Sequence, residues 1–194
     1  MSKTVIGPRP MVYPLPISLV GANVNGKPNF TTIAYCCPSS SDPPIVSVGL
    51  RHVRYTLKGI RENMTFSINI ASKDMVKEVD YCGLATGHKY DKVEACKFKV
   101  FYGKLGNAPL IEQFPLNMEC KVVHILDIGN NSLVIGRIEE TYVSEQCLTN
   151  GKPDIDKIQP LAYVSTPETR YYALGEFVAK AFSVGQELKK EKTA

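Results

Sequence analysis

The chain has 194 residues, is 44% hydrophobic and 22% charged, and carries a net charge of +4, values that are ordinary for a globular protein able to bury a substantial core. Acidic and basic residues are interspersed, which argues against a nucleic-acid-binding surface. No apolar stretch reaches the roughly 18 residues that span a membrane, and prolines interrupt the N-terminal region where a signal peptide would be apolar. We expect one cytoplasmic domain over residues 1–188, a charged tail at 189–194, and no nucleic-acid or membrane partner.

The first third of the chain predicts strands joined by tight turns. Asn25-Gly26 separates two apolar runs and is a strong hairpin signal, because both residues tolerate positive φ. A buried strand is predicted at 45–50, a short helix at about 56–62, and an alternating strand at 64–70.

The remainder continues this pattern with few helices. A second helix, capped by Ser72, is predicted to end near Gly87, and Gly129 marks a hairpin between two long strands. Residues 170–186 predict an amphipathic helix at the end of the chain. Its apolar stripe contains Tyr171, Leu174, Val178 and Phe182. Strands that pair through tight turns, with few and short helices, favour a closed antiparallel barrel with helical additions.

The sequence lacks the signatures of the common catalytic and metal sites. It contains no G-x-G-x-x-G after a strand, no phosphate-binding P-loop and no G-x-S-x-G. The three histidines, His52, His88 and His124, are far apart in sequence, so we expect no metal site and no acid–base catalyst. The six cysteines form no C-x-x-C pair, and we expect reduced thiols in a reducing compartment.

A basic segment joins the strand at 45–50 to the following helix. Arg51 and Arg54 are followed by Tyr55 and Thr56, and no acidic residue appears before Glu62. A helix N-terminus presents unpaired N–H groups and the positive end of the helix dipole. With the two arginines it predicts a phosphate-sized anion site, in which Thr56 is either the helix cap or a ligand. A solvated basic helix start would have the same composition, and this segment alone leaves both interpretations open.

Seven motifs follow one another through nearly the whole chain. They are PNxxTxA, SxDPPxVxVxLR, xYTxxxI, GxxxDK, FPLxxECKxxH, IGxI and YYxLGEFxxKAFxVG. No single motif is specific, but their order resembles that of the flavin reductase-like proteins with an FMN-binding split barrel, and within them the flavoredoxin branch. The resemblance implies a mainly β fold with helical additions, namely a Greek-key split β-barrel. It also implies a homodimer with one FMN per subunit near the dimer interface.

The resemblance assigns cofactor-binding roles to particular residues. Those residues are Asn29, Thr31, Thr32 and Tyr35 along the flavin, Leu50 and Arg51 under the ring and ribityl chain, Arg54, Tyr55 and Thr56 at the phosphate, and Gly87 and Lys92 in a covering loop. It implies no catalytic side chain, because the flavin supplies the redox chemistry and the protein supplies placement and electrostatics. The basic segment is then the FMN phosphate site.

Two departures from the family pattern bear on the reaction. Cys36 and Cys37 follow the aromatic Tyr35, either as packed small hydrophobes or as thiols beside the flavin. Many reductases of this fold have a histidine after the glycine of the second hairpin, where this chain has Asn130 and Asn131. We therefore expect flavoredoxin-like electron transfer through FMN, with a redox partner protein or NAD(P)H as donor. The alternatives are an NAD(P)H:flavin (or ferric) oxidoreductase and a non-catalytic flavin-binding module.

Overall fold

The structure is a computed structural model that describes residues 1–189. Its strands are β1 (Leu15–Pro16), β2 (Ser18–Val24), β3 (Lys27–Ile33), β4 (Cys36–Ser41), β5 (Pro44–Arg51), β6 (Thr65–Ile70), β7 (Val100–Tyr102), β8 (Pro109–Ile111), β9 (Leu116–Ile128), β10 (Asn131–Val143), β11 (Leu148–Thr149), β12 (Lys152–Pro153), β13 (Leu161–Val164) and β14 (Arg170–Ala173). Its α-helices are α1 (Tyr55–Asn63), α2 (Val76–Leu84), α3 (Lys92–Ala95) and α4 (Ile155–Ile158), and 3-10 helices cover Lys73–Met75, Glu145–Cys147 and Val184–Leu188. The predicted mainly β architecture with helical additions is confirmed.

The main sheet contains seven antiparallel strands in the order β3-β2-β6-β9-β10-β5-β4. Side chains alternate between its two faces, as the pleat of a strand requires. On β5, for example, Val46, Val48 and Leu50 are buried, whereas the residues between them are partly exposed. The buried face encloses the main core, to which α1 contributes Leu57 and Ile60. The end of β5 and the start of α1 are thus fixed to one packed core.

The opposite face of β5, β9 and β10 carries a cluster of apolar side chains among polar ones, and residues 1–189 leave part of it exposed. We call it the outer sheet face. Its apolar residues are Ile45, Gly49, Leu126, Ile128, Leu133 and Ile135, and the same face also carries Ser47, Arg51, His124, Asn131 and Arg137. Leu126 and Ile128 are 49% and 57% exposed. The strand register places Leu126 beside Leu133, and Leu133 beside Gly49, so these residues form one continuous surface.

A second core lies between β3, α2 and a small sheet with the strand order β1-β13-β14. Three aromatic rings form its centre. Phe98 makes edge-to-face contacts with Phe30 and Phe114, with ring centroids 5.8 and 5.6 Å apart, a geometry that aromatic pairs prefer. Because Phe30 belongs to β3, this core fixes the small sheet and α2 beside the main barrel.

Both predicted hairpins and the predicted strand at 45–50 are confirmed, with Gly26 and Gly129 at positive φ in the turns.

No helix within residues 1–189 is both long and apolar enough to cross a membrane. The second predicted helix begins as the 3-10 helix Lys73–Met75 and continues as α2. It ends at Leu84 rather than near Gly87, because Ala85 adopts extended backbone angles.

The predicted C-terminal helix over 170–186 is wrong. Residues 170–173 form β14, which pairs with β13, and the chain is then irregular until the 3-10 helix Val184–Leu188. An isolated helix of this length is marginal in water unless its apolar stripe packs on something, and strand pairing takes its first residues. We call residues 174–188 the C-terminal arm. Residues 190–194 of the predicted charged tail lie outside the described residues.

Candidate functional site

The start of α1 faces a pocket beside the barrel. Arg54 occupies the N-cap position with extended backbone angles, makes no side-chain cap hydrogen bond, and no acidic residue lies in the first turn. Thr56 is therefore the second residue of the helix, which excludes the first of its two predicted roles, that of the helix cap. The first backbone N–H groups of such a helix have no intrahelical acceptor. They are available to an anion.

A pocket of about 370 Å³ lies against this helix start, and we call it the inner pocket. Its lining residues are Thr31, Arg51, Val53, Arg54, Tyr55, Thr56, Gly83, Leu84, Ala85, Thr86, Gly87 and Lys92. The described part of the chain places three cations and no acidic residue in this lining. Such a pocket has the electrostatics of an anion site.

The three cations of the inner pocket differ in their surroundings. Arg51 is exposed, and its guanidinium makes no ion pair or hydrogen bond with any residue of 1–189. Arg54 is half-buried and donates from Nη1 to the Gly83 carbonyl at 2.8 Å; burial, and then the charge of Arg51, lower its pKa. Mutual repulsion of these charges makes an anion between them favourable.

Lys92 is almost fully buried beneath the pocket, at 3% exposure. Its ammonium donates to the carbonyls of Phe30 and Cys82 at 2.8 and 2.9 Å, which leaves one of its three protons without an acceptor. Burial lowers the pKa of Lys92 to about 8. Lys92 is the first residue of α3 rather than part of a loop, and Asp91 caps that helix by accepting from two backbone N–H groups.

Hydroxyl groups complete the inner pocket. The Thr31 hydroxyl is buried and has no hydrogen-bond partner in residues 1–189, a condition that costs about 1–3 kcal/mol unless a ligand supplies the partner. The Thr56 hydroxyl accepts from the Asn29 amide at 2.7 Å, so its own proton is free to be donated. These two groups are suited to the oxygens of a phosphate.

Gly87 allows the loop after α2 to approach β3 and α1. A Cβ atom at this position would lie 2.3 Å from Asn29 Oδ1 and 2.6 Å from a ring carbon of Tyr55. Glycine is therefore required by space, since its φ is not positive. The Tyr55 ring also contacts His88 of the same loop, with centroids 4.4 Å apart. The loop thus forms one wall of the inner pocket.

A longer groove of about 390 Å³ continues from the inner pocket, and we call it the outer groove. The two cavities share Arg51, Arg54, Gly83 and Leu84. The other residues of the groove are Pro10, Leu15, Ile17, Thr32, Ile33, Ala34, Tyr35, Gly49, Asp80, Asn131, Tyr163, Ser165, Thr169 and Tyr171. Apolar and aromatic groups predominate in it. A charged head in the inner pocket and a flat apolar body in the outer groove would therefore suit one elongated ligand.

The structure brings most of the predicted cofactor residues to these two cavities. Thr31, Arg51, Arg54, Tyr55, Thr56, Gly87 and Lys92 line the inner pocket, and Thr32 and Tyr35 line the outer groove. Leu50 does not reach either cavity, because its side chain is fully buried in the main core. Asn29 lies behind Thr56 and orients its hydroxyl. Cys36 packs against the main core, where burial raises its pKa to about 11, and Cys37 is exposed; neither lines the two cavities.

Sequence reasoning missed the far end of the outer groove. Tyr163 and Tyr171 line it from β13 and β14, and the Tyr171 hydroxyl donates to Asp80 of α2 at 2.9 Å. Burial and the Asp80 carboxylate raise the pKa of Tyr171. Because 170–186 was interpreted as a helix, nothing in the sequence placed Tyr171 near residues 32–35. Asn131, noted above only as a departure, lies in the groove beside Arg51.

Comparison with known proteins identifies the family. The flavin reductase like domain family matches residues 11–169 of this chain. The chain therefore belongs to the flavin reductase-like family, and its cofactor class is a flavin. A relative from Archaeoglobus fulgidus, an uncharacterized protein, is 30% identical over 156 residues, which are 80% of this chain and 87% of the relative.

Two flavoredoxin structures are similar over nearly the whole chain. The crystal structure of flavoredoxin from Methanosarcina acetivorans has a TM-score of 0.92 and 40% identity, and the match covers 97% of this chain and all of that one. Flavoredoxin of Desulfovibrio vulgaris (Miyazaki F) has a TM-score of 0.89 and 35% identity, and the match covers 95% of this chain and all of that one. The predicted split barrel and the flavoredoxin branch are confirmed by these similarities.

Proposed function

We propose that this chain is an FMN-binding redox protein that, like a flavoredoxin, passes electrons through bound FMN. The observation that carries the proposal is the inner pocket, where Arg51, Arg54 and Lys92 surround an uncapped helix start without an acidic residue. The pocket opens into an apolar groove of a size suited to a flavin ring. The 40% identity to a flavoredoxin of matching length supports the same conclusion.

The inner pocket would hold the FMN phosphate. Arg51 and the third proton of Lys92 would supply charge-assisted hydrogen bonds, and the Thr31 and Thr56 hydroxyls would supply neutral ones. The free N–H groups at the start of α1 would add the helix dipole. These groups fit a phosphate monoester, because they all line the same pocket.

The outer groove would hold the isoalloxazine ring. Tyr35, Ala34 and Gly49 offer an aromatic and a flat surface, and Thr32 is tied to α2 through a hydrogen bond from its hydroxyl to the Val79 carbonyl. Bound FMN supplies hydride and single-electron chemistry. The protein residues need only position the ring and leave one face accessible to the donor. We therefore assign no catalytic side chain.

The second hairpin favours electron transfer over direct use of NAD(P)H. Asn131 lies in the groove, where a histidine of many relatives would stand, and no nucleotide fingerprint is present. Stacking on the flavin would then be the main contact for a nicotinamide, worth about 1–3 kcal/mol by analogy with base–aromatic stacking. A protein donor docked at the rim of the groove needs no such site. An NAD(P)H:flavin oxidoreductase is the alternative function.

We also propose a homodimer in the cytoplasm. The outer sheet face carries exposed apolar side chains and adjoins the groove, since Gly49 belongs to both. A contiguous apolar patch on the surface of a protein marks a site where another protein binds. The free state of all six cysteines supports a reducing compartment.

Anaerobic reduction tests this function. The purified protein should be yellow, with the absorption bands of oxidised flavin, and acid extraction should release FMN. Dithionite or a low-potential protein donor should bleach it rapidly, whereas NADH and NADPH should react slowly and saturate poorly. Stopped-flow traces that saturate at micromolar NADH or NADPH would instead make the protein a conventional flavin reductase. A colourless protein that fails to bind added FMN would remove the proposal altogether.

A further inference from the structure

The C-terminal arm, residues 174–188, exposes a series of large apolar side chains. Phe177, Val178 and Phe182 are 82%, 93% and 98% exposed. Leu174, Val184 and Leu188 are exposed as well. Burial of such side chains is a main driving force of folding. A defined segment that presents them all to water therefore lacks its partner surface.

The hydrogen bonds of the arm do not attach it to the barrel of the same chain. The last ladder pair with the small sheet is Ala173 with Leu161. Beyond it, the hydrogen bonds formed within the described residues remain inside the arm, such as those from the Val184 amide to Lys180 and from the Gln186 side chain to Phe182. The arm therefore leaves the barrel at Gly175.

The outer sheet face is the matching surface on the same chain. It presents Leu126, Ile128, Leu133 and Ile135 along β9 and β10, of which Leu126 and Ile128 are exposed and the other two partly exposed. A second copy of the chain can cover both the arm and the outer sheet face, because a two-fold axis can place each arm against the sheet of the other copy. A different partner protein would have to supply two unrelated surfaces.

The available area is sufficient for a stable contact. A phenylalanine buries roughly 150–250 Å², so the four phenylalanines of two arms contribute about 600–1,000 Å² before valine and leucine side chains are added. Specific interfaces need about 1,000 Å² or more in total. The arms and the two sheet faces together pass this threshold.

We propose that the C-terminal arm is exchanged between the two subunits of the homodimer, each arm lying across the outer sheet face of the other copy. The inference rests on the homodimer proposed above and adds the segment that holds it together. It also gives a partner surface to the apolar side chains of residues 174–183, which form no regular secondary structure.

The first experiment replaces the apolar side chains of the arm. F177S/V178S/F182S should weaken the dimer at least ~1,000-fold, since each of the three substitutions removes burial worth about a tenfold change in affinity. At micromolar concentration the wild type should sediment as a dimer, and this variant as a monomer of 21.4 kDa. The control E176S/K180S changes exposed polar residues of the same arm and should remain dimeric.

A dimeric triple variant with wild-type affinity would overturn the arm inference and leave FMN binding and the homodimer standing. A wild type that is monomeric at high micromolar concentration would remove the homodimer and the arm exchange together. In either case FMN titration of the same samples measures the cofactor proposal separately, because the inner pocket is formed by one chain.

A second experiment tests the arm exchange without the triple variant, which aggregation could make unusable. p-Benzoylphenylalanine at position 177 in the otherwise intact chain, irradiated in a mixture of ¹⁵N-labelled and unlabelled protein, should give crosslinked peptides of mixed isotope composition. The acceptor peptides should come from β9 and β10. Crosslinks confined to single chains, or mixed crosslinks that exclude these strands, would contradict the proposal.

Discussion

The inner pocket and the outer groove adjoin each other, yet they are built in opposite ways. The inner pocket is polar and its groups are fixed: Lys92 is held by two carbonyls, Arg54 by Gly83, and Thr56 by Asn29. The outer groove is mostly apolar and takes its walls from segments as distant as Pro10 and Tyr171. One subunit can therefore define where a phosphate would bind, whereas the proposed site of the flavin ring is more open and lies beside the outer sheet face.

This difference predicts that the two cavities have separate roles toward one bound ligand. Preorganised charged donors give affinity and orientation, so the inner pocket should determine how tightly FMN binds. The outer groove should determine what the ring reacts with, since its rim decides which donor reaches the exposed ring face. Changes in the two regions should therefore separate binding from reactivity.

The largest effect is expected from Arg51→Ala. Loss of one charge-assisted hydrogen bond should weaken FMN binding by about 1.5–3 kcal/mol, or roughly 10–150-fold. Riboflavin, which lacks the phosphate, should bind the variant and the wild type equally. Because Arg51 is exposed, the free energy of unfolding should change by less than about 0.5 kcal/mol. Isothermal titration and thermal melts measure these quantities.

Arg61→Ala is the matched control for this change. Arg61 lies on α1, the helix that follows Arg51 in the chain, but it pairs with Asp127 at 2.7 Å and does not line either cavity. It should leave FMN affinity unchanged. If both flavins bind Arg51→Ala more weakly by the same factor, Arg51 acts on the structure and not on the phosphate.

The second effect is a pH dependence that belongs to Lys92. Its pKa is about 8 in the apo protein, and a bound phosphate raises that pKa because it favours the ammonium. FMN affinity should consequently fall as the pH rises through 8, by up to about tenfold per pH unit. Riboflavin affinity should stay flat, and Lys92→Met should remove the slope. A slope that persists in Lys92→Met would show that another group titrates.

The apo protein should respond to the same titration with the opposite sign. The folded pKa of Lys92 is lowered from 10.5 to about 8, so between these values the unfolded chain binds more protons than the folded one. The contribution of Lys92 to the free energy of unfolding therefore rises with pH in this window. Weaker FMN binding above pH 8 is then not a sign of unfolding.

A third effect concerns the Thr31 hydroxyl. Thr31→Val keeps the shape but removes a buried hydroxyl without a partner, so the apo protein should become about 1 kcal/mol more stable. FMN should bind about 2–10-fold more weakly, as the loss of one neutral hydrogen bond implies. Denaturant unfolding and fluorescence titration give the two values. Ser18→Ala, at a buried hydroxyl away from the inner pocket, should not change FMN affinity.

The contrast between the two regions also explains how much the sequence could predict. The end of β5 and the start of α1 are continuous in the chain, so their basic residues and helix start could be interpreted locally. The wall formed by Tyr163 and Tyr171 depends on pairing between β13 and β14, which no local pattern encodes. The apolar residues of 170–186 have helical spacing, but the first four of these residues pair with β13, and local spacing does not reveal that pairing.

Some properties of the predicted residues were also beyond sequence reasoning. Lys92 was expected in a covering loop, but its buried position and lowered pKa come from packing under β3 and α2. Leu50 was expected under the ring, but the alternation of β5 turns its side chain into the core. The missing hydrogen-bond partner of the Thr31 hydroxyl follows from the positions of all the groups packed around it, and the sequence alone does not give those positions.

The smallest effect is expected in the outer groove. Asn131→His should increase the rate of flavin reduction by NADH or NADPH by about 2–10-fold, if one added contact of 0.5–1.5 kcal/mol orients the nicotinamide. Its FMN affinity should not change. Asn130→His is the control, because Asn130 is exposed and does not line the groove. Equal acceleration by both substitutions would indicate a general charge effect rather than a contact in the groove.

The most direct test of the inner pocket as a phosphate site is the affinity of the wild type for FMN and for riboflavin, measured side by side at pH 7. Two or more charge-assisted hydrogen bonds, each worth about 1.5–3 kcal/mol, predict that FMN binds at least about 100-fold more tightly. Equal affinities for the two flavins would contradict the phosphate assignment and leave the cations of the inner pocket without a ligand.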